Sequence, residues 1–133
     1  MDKIELKKRS KQLAVNTGWL CLKLPYNPVN KEYVRQLVRC SSSVGANYRA
    51  ACRAKSKPDF INKLRIVEEE LDESMYFFEL LAEFNQEFKI ELRDLYKEAN
   101  ELLSIAIASI NTSLKNLEIE KQAEKPIRKN LKS

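Results

Sequence analysis

From Lys31 to Arg53 one helical phase runs unbroken through a stretch whose composition argues for a break. The run Ser41-Ser42-Ser43-Val44-Gly45 reads like a loop, because serine competes for backbone partners and glycine carries a large entropy cost in a helix. Yet at ~100° per residue Lys31, Arg35, Arg39, Ser42, Ala46, Arg49 and Arg53 share one sector, while Val34, Leu37, Val38, Ser41, Gly45, Tyr48 and Cys52 share another. A loop would scramble that register. The pattern predicts one long helix, Asn30 to Arg53, that accepts about 1 kcal/mol of penalty at Gly45 so that another backbone comes close.

Three further helices follow from the same periodicity. The first is expected from Ile4 to Lys23, with Leu6, Ser10, Leu13, Thr17, Leu20 and Leu24 on one seam. Pro25-Tyr26-Asn27-Pro28-Val29-Asn30 stops it and offers Asn30 as a cap for the next. Ser56 followed by Asp59 resembles a capping box for a helix from Lys57 to Phe84, whose inner seam is Phe60, Leu64, Val67, Leu71, Ser74, Phe78 and Leu81. A fourth helix is expected from Glu91 to Leu117. The fold expected is therefore an all-α, antiparallel, up-down-up-down four-helix bundle over residues 1–117. Residues 118–133 form a charged tail containing Pro126, expected to be disordered without a partner.

Two apolar lines exceed what one bundle core needs. Val15, Trp19 and Leu22 form a second stripe on helix one, and Tyr76 and Phe77 lie beside the seam of helix three. Such lines mark either a subunit contact or plain cover for the bundle; the residues leave both open.

Charge is segregated by helix. Lys31 to Lys57 holds seven Lys/Arg against the single acid Glu32, whereas Pro58 to Glu101 holds five against thirteen Asp/Glu. Arg35, Arg39, Arg49 and Arg53, continued by Lys55 and Lys57, make a cationic ridge whose forked guanidiniums suit phosphate oxygens. Asn47 and Tyr48 stand beside it to add hydrogen bonding or stacking. The competing reading is that these cations pair with the acidic third helix, within or between subunits.

Other chemistry is poorly supplied. The chain has no histidine, and Cys21, Cys40 and Cys52 are unpaired in number and widely spaced, which disfavours disulfide scaffolds and zinc sites. Glu70 and Glu73 have the spacing of di-iron ligands but lack the accompanying histidines. Cys40 and Cys52 stand near arginines that lower thiol pKa values, but no base accompanies them. The chain is expected to be no enzyme and to use no metal or cofactor. It shows no apolar run of membrane-spanning length and no signal-peptide h-region, so a cytoplasmic protein with no membrane partner is expected.

The run Ser41-Ser42-Ser43-Val44-Gly45-Ala46-Asn47-Tyr48-Arg49-Ala50-Ala51, then Arg53-Ala54-Lys55-Ser56 and Asp59-Phe60-Ile61-Asn62-Lys63-Leu64, resembles the four helix bundle protein family, also called S23 or 23S rRNA intervening-sequence proteins. A second block, Glu69-Glu70-Leu71-Asp72-Glu73-Ser74-Met75-Tyr76-Phe77-Phe78-Glu79-Leu80-Leu81, resembles that family's third helix, with Phe77 and Phe78 where a tryptophan-leucine pair is expected. The resemblance, and that to accessory proteins of diversity-generating retroelements, implies a homopentameric ring. It implies binding of structured RNA, such as ribosomal RNA insertions, or of a reverse transcriptase. The leading expectation is a non-enzymatic oligomer that binds nucleic acid, RNA or DNA, through the ridge. The alternative is a structural or protein-interaction module whose basic second helix serves assembly.

Overall fold

The structure, a computed structural model, describes the backbone of residues 2–132 and the side chains of residues 2–125. Four long helices arise where the apolar seams require them: α1 at Lys3–Lys23, α2 at Pro28–Cys52, α3 at Lys57–Phe84 and α4 at Lys89–Lys132, with a single 3-10 turn at Gln86–Phe88 before the last. No strand occurs among the described residues. Connections this short force each helix to return beside its predecessor, which yields the antiparallel bundle. Packing runs round the square α1–α2–α3–α4 and closes through α1 against α4, so the α1/α4 side lies opposite the α2/α3 side.

The seams of α1 and α3 are inside; on α2 Leu37, Ser41 and Tyr48 are buried, Val34, Gly45 and Cys52 half-buried and Val38 exposed, while Cys40, Val44 and Ala51 join the core. Leu6, Ser10, Leu13, Thr17, Leu20 and Leu24 are all buried on α1. On α3 the expected seam is buried except for Phe60, which is half-buried, and Ile61 and Met75 join it. Leu37, Leu64, Leu71, Phe78, Leu81 and Leu92 form the fully enclosed centre, each contributing about 1.5–3 kcal/mol relative to exposure.

Helix starts are set by side-chain caps, since the first N–H groups have no partner inside the helix. Asp2 caps α1 by accepting from the Glu5 amide at 2.8 Å, and Ser56 caps α3 by accepting from the Asp59 amide at 3.2 Å. The cap of α2 is Asn27, not Asn30: its Oδ1 accepts from the Asn30 amide at 2.8 Å, and Pro28 occupies the first turn, where a missing N–H costs nothing. Asn30 is instead buried, and its side chain forms a reciprocal amide pair with Asn85 after α3, both N–H···O distances being 2.8 Å. The second Asn30 amide hydrogen goes to the Pro25 carbonyl at 2.8 Å and the second of Asn85 to the Leu81 carbonyl at 2.9 Å. This satisfied pair ties the α1–α2 connection to the α3–α4 connection at one end of the bundle.

The boundary expected at Leu117 is corrected: α4 is one helix of 44 residues, about 66 Å at ~1.5 Å per residue. Ile110 is the last buried position, Leu117 packs against the core edge, and Lys57 on α3 reaches Glu120. Ser133 and the side chains from 126 onward, the end of the tail expected at 118–133, lie outside the described residues.

Gly45 meets α1, as its phase implied. A Cβ built there would lie 3.5 Å from Ser10 Oγ and 3.6 Å from the Lys11 amide nitrogen, ordinary van der Waals distances. The close approach is real, but the space does not demand glycine.

Candidate nucleic-acid interface

The helical phase places the cations of α2 along one exposed strip, yet the structure treats them unequally. Arg39 leans back onto α3, its Nη2 donating to Glu73 at 2.5 Å and its Nη1 to Glu70 at 3.4 Å. The Glu73 hydrogen bond, and after it the charges of Glu73 and Glu70, hold the guanidinium above its ordinary pKa. Arg35 makes only a local 3.4 Å contact with Glu32, one turn earlier on the same exposed face, which is worth a few tenths of a kcal/mol. Lys57 is taken by Glu120. Arg49, Arg53 and Lys55 are exposed and have no acidic partner among the described residues. The ridge is therefore spent in part on the bundle, at Arg39 and Lys57, and free at the C-terminal end of α2.

Neither side chain expected to assist the ridge is free to do so. Tyr48 is 5% exposed, and burial pushes its phenol well above the ordinary range. Asn47 donates to the Ser43 carbonyl and to Ser43 Oγ, each at 2.9 Å. The free cations of α2 thus carry charge without an adjacent group that reads a base.

The end of the bundle where α2 finishes is also where α1 begins. Lys3, Lys7, Lys8 and Lys11 are exposed there, and α1 is held against α2 through Ser10 and Gly45. These lysines lie outside the ridge that helical phase alone defines, because proximity of the two half-helices depends on packing; the run Lys7-Lys8-Arg9 followed by Lys11 is the signal the chain carries for them. Arg9 points the other way, onto α4, where its Nε lies 2.8 Å from Glu98 and its Nη1 3.1 Å from Glu101.

The apolar lines divide between opposite sides. Val15, Trp19 and Leu22 are exposed, Trp19 by 65%, and Trp19 borders a groove between α1 and α4 with Leu20 and Leu95. Tyr76, also exposed, stacks edge-on to Phe77 with centroids 5.7 Å apart, and Tyr33 lies between Phe77 and Phe84 at 6.1 and 5.9 Å. Phe77 itself is half-buried against the protomer's own core. The residues expected at a subunit contact therefore form two patches, one on the outer face of α1 with Trp19 toward α4 and one on the α2/α3 side.

The groups with reactive potential are turned to other uses. Glu70 and Glu73 both face Arg39. Burial pushes the Cys21 thiol up to about 11 and raises that of Cys40 despite the nearby Arg39 and a 3.3 Å contact from Ser74 Oγ, the reverse of an activated thiolate. No helix among the described residues is long and apolar enough to cross a membrane.

Comparison with known proteins agrees with this architecture. No protein with a curated description matches the chain. A crystal structure described as a protein of unknown function from the S23 ribosomal protein family of Bacteroides thetaiotaomicron VPI-5482 superposes with a TM-score of 0.73 at 30% identity, over 84% of this chain and 99% of that one. The sequence model of the 23S rRNA-intervening sequence proteins matches residues 2–108, which span all of α1, α2 and α3 and the first half of α4. With the sequence model and the superposed bundle agreeing over most of its length, the chain belongs to the 23S rRNA-intervening sequence protein family.

Proposed function

We propose that this protein is a non-enzymatic, cytoplasmic, homo-oligomeric nucleic-acid-binding protein that takes structured RNA on the basic surface of α2. The observation that carries this reading is the set of cations left without acidic partners, Arg49, Arg53 and Lys55, on a segment that holds no Asp or Glu between Glu32 and Asp59. Guanidiniums exposed in that setting engage phosphate oxygens and fix position on a backbone without reading its sequence. The membership in a family named for ribosomal RNA insertions agrees with RNA as the polymer.

The two exposed apolar patches support assembly. Because they differ and lie on opposite sides, they suit a head-to-tail contact, which closes into a ring when the rotation permits; a pentamer is the number that family resemblance suggests. Arg39 favours a second reading for its own position. Tied to Glu70 and Glu73, it serves the bundle rather than a ligand, as a structural or protein-binding module would use it.

The test is light-scattering mass together with binding to a structured RNA across a salt series, for wild type and Arg49→Ala/Arg53→Ala. The reading requires an oligomeric wild type with a steep salt slope that flattens in an oligomeric variant. A wild type that ignores RNA at low salt, or a variant that falls to monomers, replaces it with the structural reading.

A further inference from the structure

Exposed charge is distributed along the bundle, not only around it. Residues 2–13 of α1 hold five Lys/Arg against Asp2 and Glu5, and the C-terminal half of α2 with its connection holds Arg49, Arg53, Lys55 and no acid. The opposite end, where α3 passes into α4, is mixed: Glu83, Glu87, Glu91 and Asp94 stand there with Lys89, Arg93, Lys23 and Lys31. A polyanion approaching a molecule with one basic end and one balanced end is turned toward the basic end before contact.

At that end the two half-helices run side by side with little between them. Ser10 and Gly45 bring the backbones close enough that a Cβ on Gly45 would sit 3.6 Å from the Lys11 amide nitrogen. Lys7 and Lys11 follow one another at one turn, ~6 Å, on the flank of α1 next to Gly45; Arg49 stands on the facing flank of α2, and Arg53, the residue that caps the C-terminus of α2, continues that side. The result is a shallow trough with glycine in its floor and a cationic rail on each side. Glu5 projects ~200° round α1 from Lys7 and so faces away. Asp2 is occupied with the Glu5 amide. Arg49 and the two lysines have no acidic partner among the described residues.

We propose that this α1/α2 trough is the cleft that receives the phosphate backbone of a nucleic acid, with Lys7 and Lys11 on one rail and Arg49 and Arg53 on the other. The inference rests on the nucleic-acid reading above and adds α1 to it. It also removes Arg35 and Arg39, which lie further up α2 beyond the trough. No aromatic or amide side chain is free in the trough, so recognition there is of charge spacing and shape, not of bases.

The experiment is fluorescence anisotropy of a labelled RNA duplex from 50 to 300 mM salt, for wild type, Lys7→Gln/Lys11→Gln, Arg49→Ala/Arg53→Ala and Arg35→Ala. Removing two phosphate contacts lowers the log–log salt slope by about 2 and weakens binding at low salt about tenfold or more, equally for the first two variants, while Arg35→Ala stays near wild type. Lysine acetylation read by mass spectrometry gives an arm that needs no variant: RNA should protect Lys7 and Lys11 but not Lys23, which pairs with Glu91 at the other end. A wild-type slope in Lys7→Gln/Lys11→Gln, or unprotected Lys7 and Lys11 in a complex that forms, overturns the trough and leaves the nucleic-acid reading standing. A wild type without affinity for the duplex at 50 mM overturns both, and polyglutamate binding as tightly as RNA would assign the trough to an acidic protein.

Discussion

The Asn30–Asn85 pair should be the most sensitive polar site in the bundle. Both side chains are 2% exposed, and Asn30 Oδ1 accepts only from Asn85. In Asn85→Ala that oxygen and one Asn30 amide hydrogen lose their partner, while the second hydrogen keeps the Pro25 carbonyl. Each orphaned buried group costs about 1–3 kcal/mol, so the loss should be roughly 2–5 kcal/mol. For a domain of this size that is roughly 10 °C in Tm, against a total stability of about 5–15 kcal/mol. Urea or thermal unfolding at fixed protein concentration measures it, since assembly adds its own contribution. Reciprocal pairing also fixes a double-mutant cycle: once Asn85 is gone, removing Asn30 relieves the orphans, so the double alanine variant should cost about 1–3 kcal/mol less than the sum of the singles. Additive singles, or an Asn85→Ala that loses under about 0.5 kcal/mol, would refute the idea that reciprocal satisfaction holds the two connections together. Because the pair sits at the end of the bundle remote from Arg49 and Arg53, RNA affinity of the folded variant should be unchanged.

Three smaller effects follow from the same packing. Gly45→Ala should stabilise by about 0.5–1 kcal/mol in chemical unfolding, because it removes the helical glycine penalty and its Cβ meets α1 at ordinary contact distance. Thr17 Oγ1 is buried without a hydrogen-bond partner, so the near-isosteric Thr17→Val should raise stability by about 1 kcal/mol; a loss would show that the hydroxyl is satisfied. Cys21 has a folded pKa pushed up from 9.0 to about 11 by burial, so its neutral thiol stabilises fully below pH 9 and the contribution is lost as pH rises through 11. The stability difference between wild type and Cys21→Ala should shrink over that interval, and a constant difference would place Cys21 in contact with solvent.

What was readable in the sequence was whatever the helical period alone determines. The α1 seam from Leu6 to Leu24 is buried position for position, and α3 starts at Lys57 because Ser56 supplies a cap whose partner is three residues away. Features that depend on distant partners were misread or missed. Asn30 looked like a cap because caps are local; its true partner, Asn85, is 55 residues on. Arg39 carries the same phase as Arg35, and only packing against α3 separates the tethered guanidinium from the exposed one. The lysines of α1 joined the candidate site for the same reason, through the approach of Ser10 to Gly45. The end of α4 escaped because propensity was judged by apolar periodicity, which fades after Leu117, while the charged residues that follow are themselves adequate helix formers.

One basic end and unlike apolar sides reinforce one another under the proposed assembly. The α1 patch around Trp19 and the α2/α3 patch around Tyr76 lie on opposite long sides of the bundle, so a head-to-tail contact between them sets neighbouring bundles side by side. Repeated by one rotation, such a contact keeps every protomer pointing the same way. The basic α1 N-termini and α2 C-termini then gather on one rim and the balanced α3–α4 turns on the other, an arrangement that a two-fold, antiparallel dimer would cancel. A rim of repeated troughs binds a long polyanion with an effective concentration no single trough supplies. Affinity should therefore rise with RNA length until the polymer spans neighbouring troughs. A variant held monomeric by Trp19→Glu should lose that length dependence while a short duplex still reports the intrinsic affinity of one trough. Equal gains with length in the monomer and the oligomer would separate assembly from binding and leave the two apolar patches to some other purpose.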